Sequence, residues 1–267
     1  MKKYKFTDDY MFCYVLCSRP DITKELLEII LDIEIDKIEI INAQQILGFK
    51  DFSHSVRLDV YIKSPNKIFD VEMQTYNHHD LAKRMRYYQS LITYENFERG
   101  SRYNDLHDSY VIFITNFDPF GLGEVLYHFS NKCKEHPELD YDDGAHSIVL
   151  NTSCKQPKTT KRLENLIKYL YKGNILSSFE NQIQEIVENV NNNSNWRAWA
   201  MTLEEKMMYM RDEFKEEGRI EGRREGRREG LKEGRESGRK EGKEQVIKKL
   251  VKEGILNKEQ AKEYLKD

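Results

Sequence analysis

Two carboxylates, Asp59 and Glu72, lie on neighbouring segments that have the pattern of a β-hairpin. Residues 56–63 and 68–74 alternate apolar and polar side chains around a turn at 64–67, and this period of two predicts a pair of half-buried antiparallel strands. A turn centred on Pro65-Asn66 sets Asp59 directly opposite Glu72. Opposed side chains on paired strands have Cβ atoms about 4.5–5.5 Å apart, and like charges there are destabilising. The pair therefore requires a proton or a cation, and we interpret it as a site for Mg²⁺, which is bound through one or two carboxylates plus waters and phosphate oxygens.

The apolar side chains of the hairpin support the same register. With Lys63 opposite Ile68, the apolar residues of the two strands are opposed in three pairs: Leu58 with Met73, Val60 with Val71, and Ile62 with Phe69. A slip of one residue would put each apolar row on the wrong face, so the agreement favours this pairing. On the acidic face the register also sets Arg57 opposite Gln74 and Asp70 opposite Tyr61. We expect Asp70 to face solvent.

Composition predicts one sizeable domain with appendages. Of 267 residues, 39% are hydrophobic and 11% aromatic, which is enough for a packed core, and 33% are charged. The net charge of −3 excludes a uniformly basic nucleic-acid-binding surface, so a nucleic-acid site must be a local patch. The four cysteines have no CxxC or zinc spacing, which predicts small core residues in a reducing compartment. With no signal peptide and no apolar run near 18 residues, we expect a soluble cytoplasmic protein without membrane contact.

Helix and strand patterns alternate along the first 175 residues. The apolar spacing predicts helices that begin near residues 8 and 20, a helix from about 77 to 97, and another at 163–171. Besides the hairpin it predicts strands at these positions: 38–41, 110–115, 125–129 and 147–151. This order is typical of an α/β fold with a mixed central sheet flanked by helices. The helix that follows Gln74 must begin close to the two carboxylates.

Strand patterns end beyond residue 175. We divide the chain into a domain at 1–175, a helical extension at 176–217, a repeat at 218–243, and a short helical tail at 244–267 broken at Gly254. The repeat has glycine at every fourth position, separated by Arg, Lys and Glu. Each glycine costs a helix about 1 kcal/mol relative to alanine, but a glycine ridge lets two helices approach closely. Two interpretations fit: a frayed charged helix or disordered spacer, and a homodimerisation helix. The mixed charges argue against a DNA-binding tail.

Asp59 followed by Glu72-Met73-Gln74 on adjacent strands resembles the metal-binding core of the PD-(D/E)XK nuclease superfamily, with Gln74 in place of the usual lysine. The chain is more similar to the Rpn family of recombination-promoting nucleases, also described as PD-(D/E)XK family transposases, in which Glu-x-Gln is usual. Asp9-Tyr10-Met11-Phe12 resembles the family's N-terminal Asp-x-x-Phe helix, although Cys13 stands where lysine is common. The Arg84–Tyr88 segment and the glycine repeat match the family's Arg/Tyr-rich helix and low-complexity C-terminal part.

The resemblance implies a restriction-endonuclease-like core and hydrolysis of DNA phosphodiesters that depends on Mg²⁺ or Mn²⁺. A metal held by Asp59 and Glu72 would activate water and stabilise charge on the phosphate. Gln74 would orient the water or the phosphate by hydrogen bonds without supplying positive charge. Asp9 would bring a third catalytic carboxylate from the first helix.

The helix after Gln74 carries the residues that we expect to bind the substrate, Lys83, Arg84 and Arg86. Lys83 or Arg84 would supply the positive charge that Gln74 lacks. The implied function is a DNA endonuclease acting in recombination, transposition or defence against mobile DNA. The alternative is a non-catalytic nucleic-acid-binding or oligomerising protein that retains the nuclease fold, because Gln74 departs from the superfamily's lysine.

Overall fold

The computed structural model describes residues 3–47 and 56–257, and for residues 197–218 and a few single positions it describes the backbone alone. The chain forms two compact units, Met1–Ala200 and Met201–Asp267. The finer division into four segments stays a prediction.

The first unit contains a six-stranded mixed sheet. Its strands are β1 Ile40–Leu47, β2 Val56–Lys63, β3 Lys67–Gln74, β4 Asp108–Thr115, β5 Leu126–Phe129 and β6 Ala145–Asn151. They lie in the order β1-β2-β3-β4-β6-β5. The pairs β1–β2, β2–β3 and β5–β6 are antiparallel, whereas β3–β4 and β4–β6 are parallel. The predicted mixed sheet is confirmed.

Helices cover both faces of this sheet. The helices of the described chain are α1 Asp9–Ser18, α2 Pro20–Leu31, α3 Leu81–Asn96, α4 Lys161–Lys172, α5 Ser178–Asn192 and α6 Ser194–Lys252, with a short 3₁₀ helix at Tyr103–Asp105; those that cover the sheet are α1 to α5. Residues of α1, α2, α4 and α5 form one apolar cluster with one face of the sheet. Residues of α3 form a second cluster with the other face. Strand β4 is buried from Ser109 to Thr115, as its continuous apolar run predicts for a strand covered on both sides.

The ends of α2 and α4 follow from local sequence. Pro20 begins α2, where its fixed φ and missing N–H suit the first helical turn. The Thr160 side chain accepts a hydrogen bond from the Leu163 N–H at the start of α4. Gly173 ends α4 with a φ of 76°, a left-handed conformation that glycine adopts without strain.

The predicted register of β2 and β3 is correct at the turn and wrong at the far end. Four predicted pairs are present, from Lys63 with Ile68 to Val60 with Val71. Among the described pairs the ladder stops there, so Leu58 is not opposite Met73. Leu58 packs in the α3 cluster and Met73 packs in the other. The two strands separate beyond Val60, at the point where the carboxylates begin.

The glycine repeat lies within α6, which is one helix to Lys252. Gly254 follows its end with a φ of 73°, so the predicted break at Gly254 is confirmed, although residues 245–252 continue α6 and are not a separate helix. The predicted helix at 257–265 lies almost wholly outside the described residues. No helix in the described part of the chain is long and apolar enough to cross a bilayer.

The four cysteines are free thiols, and Cys13 is buried. Cys17 and Cys154 are partly exposed and pack against the first apolar cluster, so the prediction of core positions is wrong in full only for Cys133.

Candidate active site

Asp59 and Glu72 lie where β2 separates from β3. The Asp59 N–H donates to Glu72 Oε1 at 2.8 Å, and the Met73 N–H donates to Asp59 Oδ2 at 3.2 Å. Each carboxylate therefore accepts a hydrogen bond from a backbone N–H of the opposite strand, just beyond the last residue pair of the β-ladder. Directly opposed carboxylates would repel each other, and the separation of the strands replaces that opposition by two bonds to N–H groups.

Asp70 lies two residues before Glu72 on β3 and is fully buried, with 0% of its surface exposed. It is opposite Tyr61, as predicted, but the expectation that it faces solvent is wrong because α3 covers this face of the sheet. Within the described residues, no N–H or O–H donates to either of its carboxylate oxygens. The neighbour close enough to bond with it is the Glu72 carboxyl, which can do so only when one of the two carries a proton.

The three carboxyl groups hold protons more tightly than exposed carboxyls do. Burial, followed by the charge of Asp9, raises the pKa of Asp59 to about 6. Burial, followed by the charge of Asp59, holds the pKa values of Asp70 and Glu72 well above their ordinary range. Backbone N–H donors and Arg84 act in the opposite direction without cancelling the effect of burial. Without a cation, the cluster therefore retains protons.

Arg84 on α3 connects the acidic cluster to Gln74. Its Nη1 donates to Gln74 Oε1 at 3.0 Å, and its Nη2 donates to the Tyr88 hydroxyl at 3.1 Å. The guanidinium lies 3.9 Å from Glu72 Oε2 and 5.1 Å from the centre of the Phe113 ring. Because Arg84 occupies the amide oxygen, the amide nitrogen of Gln74 faces the acids and donates to Glu72 Oε2 at 3.4 Å.

The other predicted site residues lie on α1 and on the exposed side of α3. Asp9 begins α1, and its charge raises the pKa of Asp59, so the two carboxyls are within electrostatic reach. Lys83 and Arg86 are exposed on α3. In the part of the chain that the structure describes, neither makes an ion pair or a side-chain hydrogen bond with the carboxylates.

A family model for PD-(D/E)XK nuclease family transposases matches residues 6–217. The chain belongs to this family. The match spans the sheet, the acidic cluster and α1 to α5, and the mixed sheet with helices on both faces is the restriction-endonuclease-like α/β fold. A search of curated proteins and a search of solved structures found no match. Membership in this nuclease family supports a nuclease- or transposase-related role.

Three residues of this PD-(D/E)XK site have contacts that the sequence did not predict. The sequence predicts that Asp70 faces solvent, places Tyr88 only within the Arg/Tyr-rich segment, and predicts Cys13 as a core thiol where lysine is common in the family. The Cys13 thiol donates to the Asp59 carbonyl at 3.3 Å and so connects α1 to β2. The position of Tyr88 four residues after Arg84 was the available signal, because residues at this spacing lie on one face of a helix.

The donor chemistry of the cluster fits the divalent metals that PD-(D/E)XK nucleases typically use. No three His, Cys, Asp or Glu side chains among the described residues are arranged as a ready-formed metal site. The carboxylate oxygens of Asp59 and Glu72 are nevertheless the hard ligands that Mg²⁺ and Mn²⁺ prefer. The two buried oxygens of Asp70 that lack a donor are a second indication that a cation fits here.

Proposed function

We propose that the chain is a metal-dependent DNA endonuclease, with Asp59 and Glu72 as the metal ligands. The observation that carries the proposal is the cluster of three carboxyls with raised pKa values between β2 and β3, in which Asp70 and Glu72 are buried and Asp59 is partly exposed, in a member of a nuclease family. When bound there, Mg²⁺ or Mn²⁺ would lower the pKa of a coordinated water and stabilise negative charge on the phosphate. The expected reaction is phosphodiester hydrolysis.

Gln74, Arg84 and Tyr88 together take the place of the superfamily's lysine in this proposal. The Gln74 amide nitrogen donates toward the acids and is suited to donate to a phosphate oxygen or to the attacking water. Arg84 holds the Gln74 amide oxygen and supplies the positive charge that an amide lacks. Tyr88 accepts a hydrogen bond from Arg84 and thereby positions the guanidinium.

The remaining predicted residues have supporting roles. Asp9 is proposed as a third catalytic carboxylate because its charge acts on Asp59. Lys83 and Arg86, exposed on the same helix as Arg84, are proposed to contact the DNA backbone, whose phosphates attract Lys and Arg. We place the activity in recombination, transposition or defence against mobile DNA, in the cytoplasm, where free thiols persist.

We also propose a homodimer through the C-terminal helix. The repeat glycines from Gly222 to Gly242 lie four residues apart within α6, and a Cβ added at any of them would meet no atom within 4 Å. A second helix therefore has room to approach this ridge closely. The division into 1–175, 176–217, 218–243 and 244–267 follows from this proposal, with a catalytic domain first and a dimerisation segment after it.

The test is cleavage of supercoiled and linear DNA by the full chain in Mg²⁺, in Mn²⁺ and in EDTA. We expect cleavage only with metal, and we expect Asp59→Asn and Glu72→Gln to abolish it. Glu180→Gln is the matched control, because Glu180 is a carboxyl on α5 with only 1% of its surface exposed, and this variant should cut like the wild type. DNA binding without cleavage in either metal would instead support the non-catalytic alternative.

A further inference from the structure

Asp70 has surroundings that do not suit an ionised carboxylate. It lies on the third strand between Tyr61 and Val111 of the neighbouring strands and has no exposed surface. Among the described residues, neither carboxylate oxygen accepts a hydrogen bond from a nitrogen or a hydroxyl. Burial of a charge without a partner is strongly unfavourable, so the position requires a ligand or a proton to balance it.

The charged groups that act on Asp70 all belong to the acidic cluster. They are Asp59, whose charge repels a negative charge on Asp70, Glu72, whose carboxyl can hydrogen-bond with Asp70 when one of the two is protonated, and Arg84, which attracts a negative charge. Arg84 directs its guanidinium at Gln74 and Tyr88, and in the described part of the chain it makes no hydrogen bond to Asp70. Asp70 therefore lies beside the acidic cluster, and among the described residues no nitrogen or hydroxyl of the cluster donates to it.

A cation that binds Asp59 and Glu72 needs further oxygen ligands. Mg²⁺ requires near-octahedral coordination by oxygen, part of which comes from water. The Gln74 amide oxygen already accepts from the Arg84 guanidinium at 3.0 Å, and this positive charge disfavours a cation at the same oxygen. Asp70 is the nearby carboxylate with both oxygens lacking a donor.

We propose that Asp70 is a third protein ligand of the divalent cation held by Asp59 and Glu72. Because the three carboxyls are not arranged as a ready-formed site, their side chains must move together when the ion binds. This inference rests on the proposed function and extends it, because it assigns a buried residue on the α3 side to the metal. The cation then joins β2 to β3 beyond Val60 and Val71, where their backbone ladder stops. Metal binding consequently stabilises the folded chain, since a ligand of the native state shifts the unfolding equilibrium.

The experiment measures the affinity of the full chain for Mn²⁺ and Mg²⁺ by calorimetry, with thermal unfolding in EDTA as a check on folding. Asp70→Asn keeps the shape and one neutral oxygen, and we expect it to raise Kd at least tenfold. Asp70→Leu removes every ligand atom and should raise Kd further. Glu180→Gln, the buried carboxyl outside the cluster, should bind metal like the wild type.

The melting temperature in EDTA distinguishes lost ligation from lost folding. Both Asp70 variants should melt at or above the wild-type temperature, because each removes a buried ionisable group without a donor. The leucine variant guards against the case in which the asparagine amide itself ligates the metal.

Two outcomes overturn the inference in distinguishable ways. If both Asp70 variants bind Mn²⁺ with wild-type affinity while Asp59→Asn does not bind it, then Asp70 is a protonated partner of Glu72 and not a ligand. The proposed nuclease function stands in that case. If the wild type binds neither metal and cuts no DNA, the proposed function fails together with this inference.

Discussion

The two faces of β3 are equally deep in the molecule but differ in chemistry. Phe69 and Val71 face the cluster formed with α1, α2, α4 and α5 and are fully buried. Asp70 and Glu72 alternate with them and are buried beneath α3 to the same depth. Apolar burial stabilises a fold by about 25 cal/mol per Å², whereas buried carboxyls cost free energy unless they are paired. One face of the strand thus maintains the fold, and the other carries the carboxyls of the proposed metal site.

Helix α3 has the same division within a single element. Leu81, Met85 and Ile92 pack in the second apolar cluster, while Arg84 and Tyr88 bond to each other beside the acids. The apolar residues fix the helix on the sheet, so the guanidinium is held against Gln74 and Glu72. The acidic face is therefore positioned by the packing of α3 on one side of the sheet and of the first apolar cluster on the other, and not by a loop.

The largest effect on stability should come from the apolar face. Phe69→Ala should lower the free energy of unfolding by about 3–5 kcal/mol, because it removes a fully buried ring and leaves a cavity. Asp70→Asn, at the next position on the opposite face, should leave that free energy unchanged or higher at pH 8. Urea denaturation of both variants measures the contrast. Equal losses for the two variants would remove the distinction between the faces.

The acidic face should make the metal-free protein less stable as pH rises. Burial and the neighbouring acids raise the pKa of Asp59 to about 6 and those of Asp70 and Glu72 well above their ordinary range. Ordinary carboxyls lose their protons near pH 4, so above that pH the folded state binds more protons than the unfolded state. The free energy of unfolding then falls as pH rises from about 4 through 6 and beyond.

Thermal unfolding in EDTA at pH 5 and pH 8 measures this dependence. We expect the lower melting temperature at pH 8, and we expect Mn²⁺ to narrow the difference by replacing protons in the cluster. A melting temperature that rises between pH 5 and pH 8 would contradict the assignment of the raised pKa values.

The smallest effect on the catalytic unit should come from the glycine repeat. Replacement of Gly222, Gly226 and Gly230 by alanine should increase helicity, because each exposed change favours helix by about 1 kcal/mol. In a glycine-packed dimer the new methyl groups should also push the axes apart and weaken association. Circular dichroism and light scattering measure the two effects, and DNA cleavage should not change. An increase in helicity without a change in molar mass would indicate a spacer helix and not a dimer interface.

The helices, the strands and the region of the candidate site could be predicted from the sequence more accurately than the contacts among the site residues. The alternation of apolar and polar residues predicted the four strand pairs near the turn and placed Asp59, Glu72 and Gln74 in one region. The position of Arg84 on the next helix predicted that it lies beside them. Alternation assigns residues to a face but does not say what covers it. Asp70 is buried because α3 covers its face of the sheet. Since α3 begins seven residues after the end of β3, the strand pattern alone could not predict this burial.

The separation of β2 from β3 is the second feature that the sequence did not predict. An ideal hairpin would set Asp59 opposite Glu72, but repulsion between them is relieved when each side chain accepts from the other strand's backbone. Local propensity also predicted a weakened helix at the repeat, whereas α6 continues through its glycines to Lys252. In the hairpin, interactions beyond the local pattern decided the conformation.

The central claim is that the acidic face lowers stability and is retained for metal-dependent chemistry. Glu72→Gln tests it most directly, with the free energy of unfolding in EDTA at pH 8 and the rate of Mg²⁺-dependent DNA cleavage measured on one preparation. The account predicts a more stable protein with no cleavage, because the variant removes a buried charge beside Asp59 and Asp70 together with a metal ligand. A less stable protein that still cuts DNA at the wild-type rate would contradict it.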